Sequence, residues 1–180
     1  MTRYFIKLAF VGTRYHGWQM QDNASTVQKE ITGALRILLN EDLLITGCGR
    51  TDTGVHARNF YAHFDLSGML TEEECLKLVY RLNSILHDDI VIKEILKVVP
   101  EAHARFSATS RTYKYAISRV KDPFEKGFVY HVYGDLDVDL MNKGAELLMK
   151  NEDFSSFAKS HTQVKTNNCH LTHARWEGDA

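Results

Sequence analysis

Two capped, amphipathic stretches constrain the fold of this chain more than anything else in it. Ser25-Thr26-Val27-Gln28 reads as a capping box, a hydroxyl answered three residues later by an amide. Val27, Ile31, Ala34, Leu35 and Leu38 follow at helical spacing, which predicts a helix to about Asn40. Thr71-Glu72-Glu73-Glu74 is a second box, its acids suited to the positive end of a helix dipole. Cys75, Leu76, Val79, Leu82 and Leu86 form its expected buried stripe. Around these helices stand runs rich in branched and aromatic residues: Tyr4–Val11, Leu43–Thr46, Asn59–Leu66 and Ile90–Val99. The first hundred residues thus read β-α-β-β-α-β. That order predicts a ferredoxin-like plait, an antiparallel sheet with both helices on one face. The uncovered face of such a sheet is a common platform for RNA.

Pro100 marks the expected end of a domain spanning residues 1–100. Residues 101–180 are the second. There Ser110–Val120 reads as a strand with Tyr113, Tyr115 and Ile117 on one face, and by period alone Tyr113 reads as a core tyrosine. Phe128–Tyr133 and His170–Glu177 read as further strands, and Asp139–Lys150 as a helix with Leu140, Leu147 and Leu148 apolar. The second region is expected to be an incomplete plait, since its last strand has no visible successor.

The chemistry concentrates in Gly47-Cys48-Gly49-Arg50-Thr51-Asp52-Thr53-Gly54-Val55-His56-Ala57. Three glycines frame an arginine and a carboxylate two positions apart, between two expected strands. A guanidinium a few ångströms away would keep Asp52 ionised. An ionised, sterically open carboxylate serves as a nucleophile or a base. A polar hairpin in which Asp52 bonds its own backbone is the plainer reading, but a simple turn does not need Arg50, Thr51, Thr53, His56 and Arg58 as well. Upstream, Gly12–Asn23 interleaves Arg14, Tyr15, His16, Trp18, Gln19 and Gln21, a mixture suited to stacking on bases and contacting phosphates. Alternatively its aromatics fold back as loop anchors, the better reading for Trp18.

Gly49-Arg50-Thr51-Asp52-Thr53-Gly54-Val55-His56-Ala57 resembles the signature of the tRNA pseudouridine synthase A family. Tyr15-His16-Gly17-Trp18-Gln19-Met20-Gln21 and His103-Ala104-Arg105-Phe106-Ser107-Ala108-Thr109-Ser110-Arg111-Thr112-Tyr113-Lys114-Tyr115 match it too, in the family's order. The resemblance implies an α+β protein built of two ferredoxin-like (RRM-like) plaits, the pseudouridine synthase fold, with the second plait incomplete here. It implies isomerisation of uridine at positions 38 to 40 of the tRNA anticodon arm, by a homodimer gripping the tRNA. Asp52 takes the role of nucleophile, adding either to the uracil ring or to the sugar. Arg50 is implied in moving the base out of the stack, and Tyr113 in packing on the uracil. Arg14, Gln19, Arg58, Arg105 and Arg111 are the candidate RNA contacts. Related enzymes continue with a strand, a helix and a basic residue that pairs with the catalytic aspartate. Nothing before Ala180 matches that segment, so the expectation is an incomplete or degenerate copy. An RNA-binding module without catalysis is the corresponding alternative.

Uracil is detached, turned and rejoined in such a reaction, so neither a redox cofactor nor a metal is expected, and no phosphate loop or dinucleotide fingerprint occurs. With 44% hydrophobic and 25% charged residues a folded chain is expected. Three cysteines suggest a reducing compartment, and no apolar run reaches the roughly 18 residues of a membrane span. A cytoplasmic protein with no membrane partner is therefore expected. The net charge of −1 hides a segregation. Residues 1–20 and 101–121 are basic, whereas acids collect at Glu72–Glu74, Asp88-Asp89 and Asp135–Asp139. This fits one basic face, or else charges that mix on folding. Two weaker readings stand beside the main one. Asp52-Thr53-Gly54 resembles the aspartic protease triplet, but Arg50 opposes a shared proton. Cys169, His170 and His173, with His161, have irregular spacing for zinc.

Overall fold

The computed structural model describes residues 1–158 and 166–178. These fall into two units. The first comprises Met1–Tyr115 with Glu125–Phe128, the second Ala116–Phe124 with the residues from Val129 onward.

The first unit is an α+β layer structure. Its elements are β1 (Thr2–Phe10), α1 (Val27–Leu39), β2 (Thr46–Gly47), β3 (Ala57–Leu66), α2 (Glu72–Ile85) and β4 (Ile90–Lys97). The four strands form one sheet in the order β2-β3-β1-β4, each neighbour antiparallel. Alternation along β1 turns Tyr4, Ile6, Leu8 and Phe10 to the core. There they meet Phe60, Ala62, Phe64 and Leu66 of β3 and the stripes of both helices. The ladder slips between Leu8 and Phe10 against β3, and between Lys7 and Leu8 against β4.

Both helices form where expected, with two corrections. The cap of α1 is Thr26, whose hydroxyl accepts the Lys29 N–H at 3.4 Å. Gln28 is not part of a box. It is buried, donating to the Ile45 carbonyl at 2.6 Å and accepting the Met20 N–H at 2.8 Å. A buried amide that joins two loops is worth more there than at an exposed helix end. In α2 the box of Thr71 and Glu74 is complete, but Leu76 is 71% exposed and Leu78 is buried. The i, i+3, i+4, i+7 rule selects Cys75, Leu78, Val79 and Leu82 and rejects Leu76.

The second unit holds β5 (Ile117–Ser118), β6 (Tyr130–His131) and α3 (Val138–Met149). β5 and β6 pair in parallel over two residues. The long strand expected over Ser110–Val120 shrinks to β5. Residues 110–116 find no partner strand among the described residues, and Tyr113 and Tyr115 bury no face. The strand expected over His170–Glu177 does not form either. The Trp176 backbone is instead satisfied by Asn142 of α3, whose amide accepts its N–H at 2.8 Å and donates to its carbonyl at 3.0 Å. A second antiparallel sheet is not seen among the described residues.

Candidate active site

The Asp52 loop runs from β2 to β3 over a floor made by residues 12–18. Three hydrogen bonds tie it down. The Trp18 N–H donates to the Thr51 carbonyl at 3.2 Å, the Gly54 N–H to the Tyr15 carbonyl at 3.3 Å, and the Gly12 N–H to His56 Nδ1 at 2.9 Å. Such close approach needs glycine. A Cβ on Gly17, which has φ +84, would collide with the Thr51 carbonyl, and one on Gly12 with the Val55 carbonyl. Behind the loop the Trp18 ring lies flat enough on Gly47 that a Cβ there would stand 2.5 Å from it. That ring is buried against Phe10 and Phe60. Trp18 and Tyr15 are therefore anchors of the loop and not platforms for bases. The Tyr15 hydroxyl donates to Asp89 at 2.5 Å, and burial together with that carboxylate holds the phenol well above its usual range.

Within the loop the Val55 N–H donates to the Asp52 carbonyl at 3.2 Å, and Gly54 has φ +81. This is a type II turn with Asp52 at its first position and glycine where the left-handed conformation is required. The Asp52 side chain is left exposed. Among the described residues no lysine, arginine or histidine reaches it to form an ion pair, Arg50 included. The expected pairing of Arg50 with Asp52 is thus corrected: both are exposed, and two side chains in water gain little from being held together.

The other candidates separate into groups. Arg111 lies at the mouth of the loop, its Nε 3.7 Å from where a Gly49 Cβ would be. Its Nη2 donates to the Cys48 carbonyl at 2.8 Å and to the Arg105 carbonyl at 2.9 Å. It thereby joins the Asp52 loop to the turn carrying Arg105, whose guanidinium stands 5.6 Å over the Phe106 ring. That turn is seated on the sheet by His63 of β3, whose Nδ1 accepts the Ala104 N–H at 3.2 Å. Burial pushes the His63 pKa down to about 4, with smaller contributions from Arg3 and His103, so the ring is a neutral acceptor. Arg14 is engaged elsewhere, 3.5 Å from Asp89 and against His87. Arg58 lies at the start of β3, where its carbonyl accepts from Lys93 Nζ at 2.6 Å. Gln19 is exposed. Tyr113 is 68% exposed, which corrects its reading as a core residue. No hydrogen bond joins Tyr113 or Arg50 to Asp52 among the described residues.

Sequence reasoning missed His56 and His63 as parts of the framework. The motif contained His56, but nothing in its spacing tells a support from a surface group. No group of histidines, cysteines and carboxylates among the described residues is gathered as a metal-ligand set. His161 lies outside them. No described helix is long and apolar enough to cross a membrane.

No family model matches the chain. Individual relatives do. It is 50% identical over 184 residues to tRNA pseudouridine synthase A of Parabacteroides distasonis, covering 99% of this chain and 71% of that protein. It is 48% identical over 176 residues to the protein of that name from Bacteroides thetaiotaomicron, covering 98% of this chain and 64% of the relative. With that of Aquifex aeolicus it shares 38% over 168 residues, covering 92% of this chain and 68% of the relative. The chain belongs to the tRNA pseudouridine synthase A family. It spans about two thirds of the length of these relatives.

Proposed function

We propose that this chain carries the nucleophile of a tRNA pseudouridine synthase, which isomerises uridine at positions 38 to 40 of the anticodon arm. The observation behind the reading is the exposed Asp52 carboxylate at the first corner of a glycine turn, on a floor that holds its backbone still. A carboxylate carried on a fixed backbone and open to solvent suits a covalent intermediate that lasts while a base is turned. Asp52 bonds to the uracil ring or to ribose C1′ as the N1–C1′ bond breaks, C5 then bonds to C1′, and the Asp52 bond breaks to return the free carboxylate. The C5 proton is released to solvent and N1 takes one up, so the product is an isomer and no electrons change hands.

In this reading the uridine leaves its stack at a cost of a few kcal/mol. Arg50 fills the space it vacates. Tyr113 packs on the uracil and helps to move the C5 proton. Arg14, Gln19, Arg58, Arg105 and Arg111 meet the RNA backbone, Arg111 while also holding the loop mouth. Residues 1–100 form the first of two ferredoxin-like plaits and residues 101–180 part of the second. The working protein is a homodimer on the tRNA. The relatives' shared name supports the choice of substrate.

The test is release of tritium from 5-labelled uridine in an anticodon stem-loop. Asp52→Asn and Asp52→Ala are expected to abolish it, and persistent release by Asp52→Ala overturns the reading. A second reading, RNA binding without catalysis, is favoured by the lack of a cation paired with Asp52 among the described residues. It requires that the unaltered protein release no tritium while Asp52→Asn binds the stem-loop as tightly.

A further inference from the structure

We infer that His56 is a positioning residue for Asp52, locked in one tautomer between two backbone groups. Its catalytic consequence rests on the reaction proposed above, whereas its structural role does not. The ring stands between the Gly12 N–H, which donates to Nδ1 at 2.9 Å, and the Gly127 carbonyl, 2.6 Å from Nε2. The amide is only a donor and the carbonyl only an acceptor. Nδ1 therefore carries a lone pair and Nε2 the proton. The ring also stacks on Phe128, with centroids 4.6 Å apart and planes 26° from parallel.

Of the three bonds that hold residues 51–56 to the floor, this is the one made by a side chain. The other two join backbone to backbone and rest on the glycines that allow the close approach, with no side chain in the bond. His56 follows the turn directly, two residues after Gly54. Releasing it frees the C-terminal end of the turn, including the Val55 N–H that closes on the Asp52 carbonyl. A carboxylate on a loosened turn is still present and still exposed, but its average distance from the reacting atom is no longer fixed. Misplacement by about an ångström costs roughly a hundredfold in rate.

The experiment uses the whole chain. Long-range 15N spectra of the histidine rings are expected to show His56 with Nδ1 bare and Nε2 protonated. His56→Phe keeps a ring on Phe128 and removes both hydrogen bonds. Amides of residues 51–55 are then expected to exchange at least about tenfold faster, with β1 and the core of β3 unchanged. His56→Asn sets an amide oxygen near the place of Nδ1 and is expected to restore protection of the Gly12 amide. In the uridine assay His56→Phe loses about a hundredfold in kcat with KM held within a few fold, and His56→Asn regains most of it. The opposite tautomer overturns the inference, as does loop exchange unaltered in His56→Phe, or an Asn variant no better than the Phe variant. If His56→Phe does not fold, the tautomer and the Asn variant decide. If Asp52→Ala retains turnover, the proposed reaction fails, while tautomer and exchange still decide the role of His56.

Discussion

The two units relate apolar pattern to burial in opposite ways. In the first, alternate residues of β1 and β3 and the stripes of α1 and α2 close on one another, and the buried cluster lies wholly within this unit. In the second, α3 carries a comparable apolar stripe, yet Ala145 is its one buried residue, and Leu140 and Leu147 are 63% and 62% exposed. Tyr130, Tyr133 and Phe157 are exposed as well. Periodicity decides which face of an element is apolar, but burial needs a second layer to cover it. A fully buried leucine contributes about 1.5–3 kcal/mol over an exposed one. Stability should therefore reside in the first unit, the one that holds the Asp52 loop.

Paired truncations would break this contrast most directly. Leu35→Ala, at a fully buried position of α1, is expected to lower the unfolding free energy by about 2–5 kcal/mol. Leu147→Ala, on the exposed side of α3, should cost less than about 0.5 kcal/mol. Urea denaturation measures both. Equal losses would show that α3 is covered in solution and that the contrast is wrong.

Acid should find the first unit through His63. Its folded pKa, about 4, lies below the ordinary value near 6.5 that the unfolded chain restores. The unfolded state thus binds a proton first. The contribution of neutral His63 is fully present above about pH 6.5, falls as the pH drops from there, and is spent once it passes about 4. The loss approaches roughly 3 kcal/mol at the lower end. His63→Asn, which offers an oxygen to the Ala104 N–H without the titration, is expected to flatten that part of the curve. Carboxylates titrate in the same window, so the measurement is the difference between the two proteins' urea midpoints at pH 7, 5 and 4. Curves that run parallel would remove His63 as the cause.

Much of the first unit was legible because its signals are local. The hydroxyl and carboxylate of Thr71 and Glu74 sit three residues apart and cap α2 as their spacing implies. Alternation along Tyr4–Phe10 names the buried face of β1 without reference to any other strand. The site was legible as a motif and opaque as a mechanism of support. Gly12, Gly17 and Trp18 matter because they touch residues 47–55, and contacts across about thirty to forty positions leave no period in one sequence. His63 shows the same limit. Its place in β3 was evident, but the amide it accepts lies forty-one residues away, and its neutrality comes first from burial that no local pattern shows. The stretch that runs from the end of the first unit into the second misled for the reverse reason. Ser110–Val120 has the composition of a strand, but composition cannot supply a neighbour to pair with.

The smallest effect separates the units most finely, because the same substitution can be made in each. Gly33 of α1 and Gly144 of α3 lie inside helices, and an added Cβ would meet nothing within 4 Å at either. Alanine should therefore stabilise both helices by about 0.5–1 kcal/mol, through the lost freedom of the unfolded chain. What differs is where the gain appears. α1 belongs to the buried cluster, so Gly33→Ala is expected to raise the global urea midpoint. α3 shares little core, so it opens without the rest unfolding. Gly144→Ala should leave the midpoint in place and slow amide exchange within residues 138–149 by up to roughly fivefold. A midpoint raised equally by both would mean that α3 unfolds together with the sheet. The exposed leucines would then have to be read as covered in the protein's working state.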